Sequence, residues 1–252
     1  MKSLIQALTV ISCSLLISCT SSDSNVNKVL VFSKTEGFRH ESIPQGIEMI
    51  KKLGAENGYS VDATEDASWF TQATLKEYKV VIFMSTTGDV LDNIQQLEFQ
   101  RFIQGGGGYV GVHAAADTEY DWPWYGKMVG GYFESHPSDP NVRDATIHKT
   151  EHQHPSTDHL DQSWDRTDEW YSYKKLNMEV TPLLLLDETT YEGGTNGDYH
   201  PIALYHEYDG GRAFYTGGGH TNESFVEPDF VKHVSEGILW AQGDQKPINY
   251  DL

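Results

Sequence analysis

The sequence is poor in cysteine, in basic side chains and in long apolar runs, and each shortage closes off a class of function. Of 252 residues only two are cysteine, Cys13 and Cys19, both close to the start. Downstream of them no disulfide, thiolate metal ligand or cysteine nucleophile can form. Lys and Arg number 18 against 37 Asp and Glu, a formal net charge of −19. Such a surface repels phosphate backbones, so nucleic acid is not an expected partner. No P-loop and no HExxH pair occur. The glycines Gly105–Gly108 follow a helical pattern and precede a strand, the reverse of a dinucleotide fingerprint, so a tight turn accounts for them and no nucleotide cofactor is expected.

The longest apolar run, Leu4 to Leu16, is too short to span a membrane, and with Lys2 before it reads as an export signal. Its "LISC" ending resembles a bacterial lipobox, which implies lipidation at Cys19; an ordinary cleaved signal is the alternative. The chain then divides into a lipoprotein signal peptide at 1–18, a flexible polar tether at 19–27 and a single domain at 28–252. This reading puts the protein in the bacterial cell envelope, in the periplasm or on the outer-membrane surface, meeting the membrane through a lipid anchor only.

What the domain does contain is α/β patterning. "KVLVF", "KVVIFMST" and "GYVGV" are short apolar runs suited to buried strands, and "YSVDAT" reads as a further strand. Between them lie a helix capped by Ser42 with Pro44 in its first turn, a short helix at "TLKEY", and a helix opened by Asp92 that runs from Ile94 to Gln104. The alternation predicts an open, mostly parallel sheet with helices on both faces. Further on, "DATIHKT", "PLLLLDET", "IALYHEY" and "GRAFYTG" read as strands, the last two joined by a hairpin at Asp209-Gly210-Gly211. "PDFVKHVSEGILWAQG" closes the domain as a helix.

Ligands in such sheets bind beyond the carboxyl ends of the strands. Three histidines fall there: His40 after the first strand, His113 after "GYVGV" and His220 after "AFYTGGG". Their convergence on one cleft is the central expectation, with base, acid or metal-ligand roles open to each. His113 stands where a nucleophile elbow would expose one side chain. Asp117, four residues on, either orients it, shares a metal or caps the next turn. Asp168 and Glu169 are neighbours, so on an extended segment only one faces a given cleft. Glu223 is placed to orient His220. The loop carrying His152, His154 and His159 matches no metal-ligand spacing and reads as surface. Six Trp and 14 Tyr suit carbohydrate contact as well as ordinary cores.

The motifs "GFRHESI", "GVHAAADTEYDWPWYGKMVGGYFESHP", "DEWY", "HPIALYHEYDGGRAFYTGGGHTNESF" and "GILWAQG" together resemble the ThuA-like, or trehalose-utilisation, family from about Lys28 to Gly243. The resemblance implies a flavodoxin-like sheet of the class I glutamine amidotransferase kind. It departs from those amidotransferases in having His113 where they carry the cysteine, which excludes thiol-based glutamine hydrolysis. It also has Gly218 where many relatives carry a bulkier residue, leaving open whether the pocket is wider here.

The resemblance further implies catabolism of trehalose and related disaccharides through 3-keto sugars made by a partner dehydrogenase. A lyase or hydrolase on such oxidised glycosides needs a base, an acid and a polariser, for which a divalent metal ion serves. His113, His220, Asp117 and Glu169 are the expected catalytic residues, with His40, His113 and His220 as the metal set. Arg39, His40, Trp122, Trp124 and Glu223 are the expected substrate contacts. Two other readings stand beside this one: a non-catalytic carbohydrate-binding lipoprotein with a degenerate cleft, and hydrolysis of a plain glycoside by the pair Asp117 and Glu169.

Overall fold

Apolar runs without polar alternation need cover on both faces, and the first half of the chain supplies three of them, with a more polar strand after the first. The computed structural model describes residues 27–243 and 248–251, so the export-signal, Cys19 and most of the tether readings lie outside the described residues. Strands β1 (Lys28–Phe32), β2 (Ser60–Thr64), β3 (Val80–Met84) and β4 (Gly108–Val112) alternate with helices α1 (Ile43–Asn57), α2 (Gln72–Leu75) and α3 (Asn93–Gln104). All pairings among these strands are parallel. Every residue of β3 and β4 is buried. Asp92 caps α3 in a full capping box with Gln95. The buried stripe of α3 is Phe99, Phe102 and Ile103; Ile94 and Leu97 are exposed instead.

Next come α4 (Pro123–Val129), β5 (Tyr132–Ser135), β6 (Val142–Lys149), β7 (Ser163–Glu169), β8 (Ser172–Lys174), β9 (Thr181–Leu186), β10 (Pro201–Tyr208), β11 (Gly211–Thr216) and α5 (Pro228–Gln242). The main sheet has nine strands in the order β2-β1-β3-β4-β11-β10-β9-β6-β7; β5 and β8 form a separate ribbon. The strand β11 is the hinge of the arrangement, parallel to β4 on one side and antiparallel to β10 on the other. Both Asp209 and Gly210 have positive φ, as a two-residue hairpin turn requires. The α/β architecture, mostly parallel in its first half, agrees with the flavodoxin-like expectation. The extent of the antiparallel half does not follow from the pattern: β7 carries acidic residues on a strand whose outward face meets water, and β5 and β8 are too short to leave a period. No helix among the described residues is long and apolar enough to cross a membrane.

Candidate metal centre

Each ligand-bearing side chain sits at a strand end for a local reason. His40 lies in the β1–α1 loop, 3% exposed. His113 follows β4 directly with φ 50°, a left-handed conformation unusual for a non-glycine residue and consistent with an elbow that turns its side chain toward the cluster. Glu169 is the last residue of β7, and His220 follows the Gly217–Gly219 loop after β11. Their imidazoles gather edge to face: His40 and His113 have ring centroids 4.7 Å apart, His40 and His220 5.1 Å, and His113 and His220 5.3 Å. One ligand atom from each of His40, His113, Glu169 and His220 lies within 4.8 Å of the others. The antiparallel half therefore curls back so that the end of β7, an edge strand, meets the ends of β4 and β11.

The protonation pattern of this cluster is incomplete in an informative way. His113 Nδ1 is 2.8 Å from the Gly217 carbonyl, which can only accept, so Nδ1 carries the proton and neutral His113 presents a bare Nε2. That Nε2 lies 3.3 Å from Glu169 Oε2, also an acceptor, and has no hydrogen-bond partner. His220 Nδ1 lies 3.0 Å from the same oxygen, again without hydrogen-bond alignment, and His40 Nδ1 is likewise unpartnered and buried. The bare His113 Nε2 facing the Glu169 carboxylate calls for a proton or a cation between them. Burial, reinforced by the His113 and His220 rings, pushes the His40 imidazole down to about 2, so it stays neutral and free to ligate. Burial alone would raise the Glu169 carboxyl, but His113, His220 and the Asn141 amide hold it well below the ordinary carboxylate range. Burial disfavours the charged form of His220, yet Glu169 outweighs it and raises that imidazole. The donor set of three imidazoles and one carboxylate suits a divalent transition ion.

His40, Glu169 and His220 line a cleft of about 320 Å³ together with Phe38, Asp117, Phe133, His136, Asn141 and Tyr171, while His113 lies wholly buried behind them. Asp117 accepts a hydrogen bond from the Tyr120 hydroxyl, and burial raises its carboxyl pKa. It stands outside the four-residue cluster and neither orients His113 nor joins that set. Asn141 donates to Glu169 Oε1 at 2.6 Å, and His136 Nε2 is 3.7 Å from the same oxygen. Sequence reasoning missed Asn141, His136, Phe38, Phe133 and Tyr171. The motif around "FESHP" was the one available signal for His136; Asn141 had none.

Several expected contacts lie elsewhere. Arg39 points outward to an exposed ion pair with Glu65. Trp122 and Trp124 stack on each other 5.0 Å apart, and Trp124 Nε1 donates to Asp209; Trp124 packs on Phe99 and Tyr208 and Trp122 on Tyr125, and neither lines the cleft. Glu223 lines a separate, open depression of about 610 Å³ with Asp144, Asp165 and Glu227, so His220 pairs with Glu169 in its place. Larger though it is, that depression holds side chains already paired with one another, Thr146 with Asp165 and Arg166 with Glu227. Ser42 occupies the N-cap position of α1 without capping it; its hydroxyl donates to the Gly219 carbonyl. His152, His154 and His159 form no ligand cluster with the centre. The space above Gly218 is filled by Arg166 and Phe230, so a glycine there does not widen the cleft.

Residues 28–241 match the family described as ThuA, Trehalose utilisation. Among solved structures, the chain is similar to a ThuA-like protein from Bacteroides uniformis, with 26% identity, a TM-score of 0.72, and 86% of this chain and 91% of that one covered. A ThuA-like protein from Parabacteroides merdae shares the fold at 20% identity and TM-score 0.70, covering 86% and 90%. A β-galactosidase from Rahnella shares the fold at 13% identity and TM-score 0.54; the match covers 84% of this chain and 31% of that enzyme. No curated protein matches the chain significantly.

Proposed function

The chain belongs to the ThuA family of trehalose utilisation, and from that membership we propose that it cleaves disaccharide-type glycosides whose one ring carries a 3-keto group. A 3-keto group acidifies the C2–H bond. A base removes that proton, the electron pair forms the C1–C2 double bond, the C1–oxygen bond breaks, and the departing oxygen takes a proton. The products are an unsaturated keto sugar and the free aglycone sugar; water added across the double bond converts the first to the hydrolysed form.

The observation that carries this reading is the set of buried, unpartnered ring nitrogens of His40, His113 and His220 gathered against the Glu169 carboxylate. Those four would hold a divalent ion. Such an ion, when bound, polarises a carbonyl and stabilises the enolate that develops from it. Asp117, with a carboxyl pKa raised by burial on the wall of the same cleft, is suited to taking and returning the proton. Phe38, Phe133 and Tyr171 give the cleft the flat apolar walls that sugar rings stack on. In this reading a sugar dehydrogenase supplies the oxidised substrate, and the protein works in the cell envelope on a lipid tether at Cys19.

The test is turnover of a 3-keto disaccharide and of the unoxidised sugar, each with and without a chelator. Product from the keto sugar alone, lost on chelation and restored by a divalent ion, is expected. Binding without product, or cleavage of unoxidised trehalose, refutes the proposal.

A further inference from the structure

Every member of the ligand quartet is tied to one short loop, Gly217–Gly219. The Gly217 carbonyl accepts from His113 Nδ1 at 2.8 Å. The Gly219 carbonyl accepts from Ser42 Oγ at 3.0 Å, two residues past His40. His220 is the next residue along the chain. Glu169 is tied to the loop through its neighbour Asp168, which is wholly buried. Alternation along the strand turns Glu169 to the cleft and Asp168 the opposite way, beneath the loop. There Asp168 Oδ2 accepts from Gly219 N at 2.8 Å and from Ser224 Oγ at 2.9 Å, and Oδ1 accepts from His220 N at 3.0 Å and from Glu169 N at 2.9 Å.

One carboxylate thus receives the backbone N–H groups of two ligand residues, Glu169 and His220, that lie 51 positions apart in the chain. It is itself fixed. Arg166 Nη1 is 3.4 Å away with its side chain 2% exposed, and Arg166 is held in turn by Glu227 at 2.8 Å, by Ser224 and by the Phe230 ring. Charged acceptors bind N–H donors more strongly than neutral ones, and a buried one that is fully partnered leaves its donors little freedom.

From this we infer that Asp168 is the positioning residue of the metal centre: through the Gly217–Gly219 loop it sets the separation of Glu169 and His220, and with it the shape of the ligand set. The inference rests on the four residues binding a cation as proposed above. Asp168 touches neither ion nor substrate. The pair Asp168 and Arg166 sits behind the ligands as outer partners do in metal sites generally, where their loss weakens metal binding about 10–100-fold.

The experiment uses the purified full chain and Co²⁺, whose visible spectrum reports coordination. Wild type binds Co²⁺; Asp168→Asn weakens binding about 10–100-fold and changes the spectrum. Because Asp168→Asn leaves the Arg166 charge less compensated and can cost the fold, Ser224→Ala is the milder companion. Removing that single hydroxyl donor weakens Co²⁺ binding about two- to tenfold. Trp124→Phe, remote from the loop, lowers Tm but leaves Co²⁺ affinity and spectrum as in wild type, which separates positioning from general destabilisation. Asp168→Asn and Ser224→Ala both within twofold of wild type, with unchanged spectra, overturn the inference and leave the metal reading standing. If Asp168→Asn does not fold, Ser224→Ala alone decides: weakened binding supports the inference and unaltered binding overturns it. A wild type that does not bind Co²⁺ at all overturns the metal reading and this inference with it.

Discussion

Replacing Gly218 by alanine tests whether the loop beneath the histidine cluster is as tightly packed as its contacts indicate. A Cβ at this position would lie 2.5 Å from Arg166 Nη1, 2.9 Å from Phe230 Cε2 and 3.2 Å from Asp168 Oδ2. The first of these could be relieved if Arg166 were a free surface side chain. It is not: Glu227, Ser224 and Asp168 hold its guanidinium and it stacks on Phe230. The added methyl must therefore displace the pair or the loop, an overpacking cost of about 1–3 kcal/mol. For a domain of this size that lowers Tm by about 2–12 °C. Gly219 makes an instructive contrast. Its added Cβ meets nothing closer than Val112 Cγ1 at 3.1 Å, but its φ of 115° is one that L side chains rarely adopt, so Gly219→Ala fails through the backbone instead. Calorimetry on Gly218→Ala, on Arg166→Ala and on the double variant distinguishes the two causes. Contact with Arg166 predicts that the double variant recovers part of the Gly218→Ala loss; Gly219→Ala recovers nothing from Arg166→Ala. A Gly218→Ala protein with wild-type Tm, or a cycle additive within about 0.5 kcal/mol, refutes the packing account.

Asp117→Asn should lower kcat on a 3-keto disaccharide about 10²–10⁴-fold while Co²⁺ affinity, measured by titration, stays within twofold; an unchanged kcat removes Asp117 from the chemistry. Trp124→Phe loses the bond to Asp209 and should lower Tm with no change in KM, whereas a several-fold rise in KM would return Trp124 to the cleft. Acid should destabilise the fold through His233. Burial pushes that imidazole down to about 3, so below about 6.5 the unfolded chain binds a proton the folded one refuses. Stability is then unaffected above about pH 6.5 and falls as pH drops from there toward 3, by up to about 1.4 kcal/mol per pH unit. Urea unfolding at pH 7.5, 6 and 5 should show this slope in wild type and a shallower one in His233→Gln; equal slopes would refute it.

Much of the parallel half of the fold is legible in the sequence because β1, β3 and β4 are short and almost wholly apolar; β2, with Ser60, Asp62 and Thr64, is less marked. His113 announces itself by following such a run directly and His220 by following a run and three glycines, whereas His40 stands well past β1, behind Ser33, Lys34, Thr35, Glu36 and Arg39. Glu169 is harder to see. Its strand interleaves charged residues, and only alternation between Asp168 and Glu169 hints that the two serve different sides; which one faces the cleft depends on how far the antiparallel half curls. Trp122 and Trp124 mislead for the opposite reason, since a tryptophan that covers a helix and one that walls a sugar site have the same local sequence. Arg39 is next to His40 in the chain, but its long side chain leaves the loop on the side facing Glu65. Asn141 and His136 lie between β5 and β6, where no period marks their destination.

The strand β11, parallel to one neighbour and antiparallel to the other, divides labour within the site. All three imidazoles come from the loops that follow β1, β4 and β11, whereas the single anionic ligand and the neighbours Phe133, His136, Asn141 and Tyr171 come from the excursion between α4 and β10. Substitutions in that excursion away from Asp168 and Glu169 can remodel what the cleft admits while the three imidazoles keep their places. Most of the cleft's walls and its three imidazoles are thereby inherited on separate stretches of polypeptide.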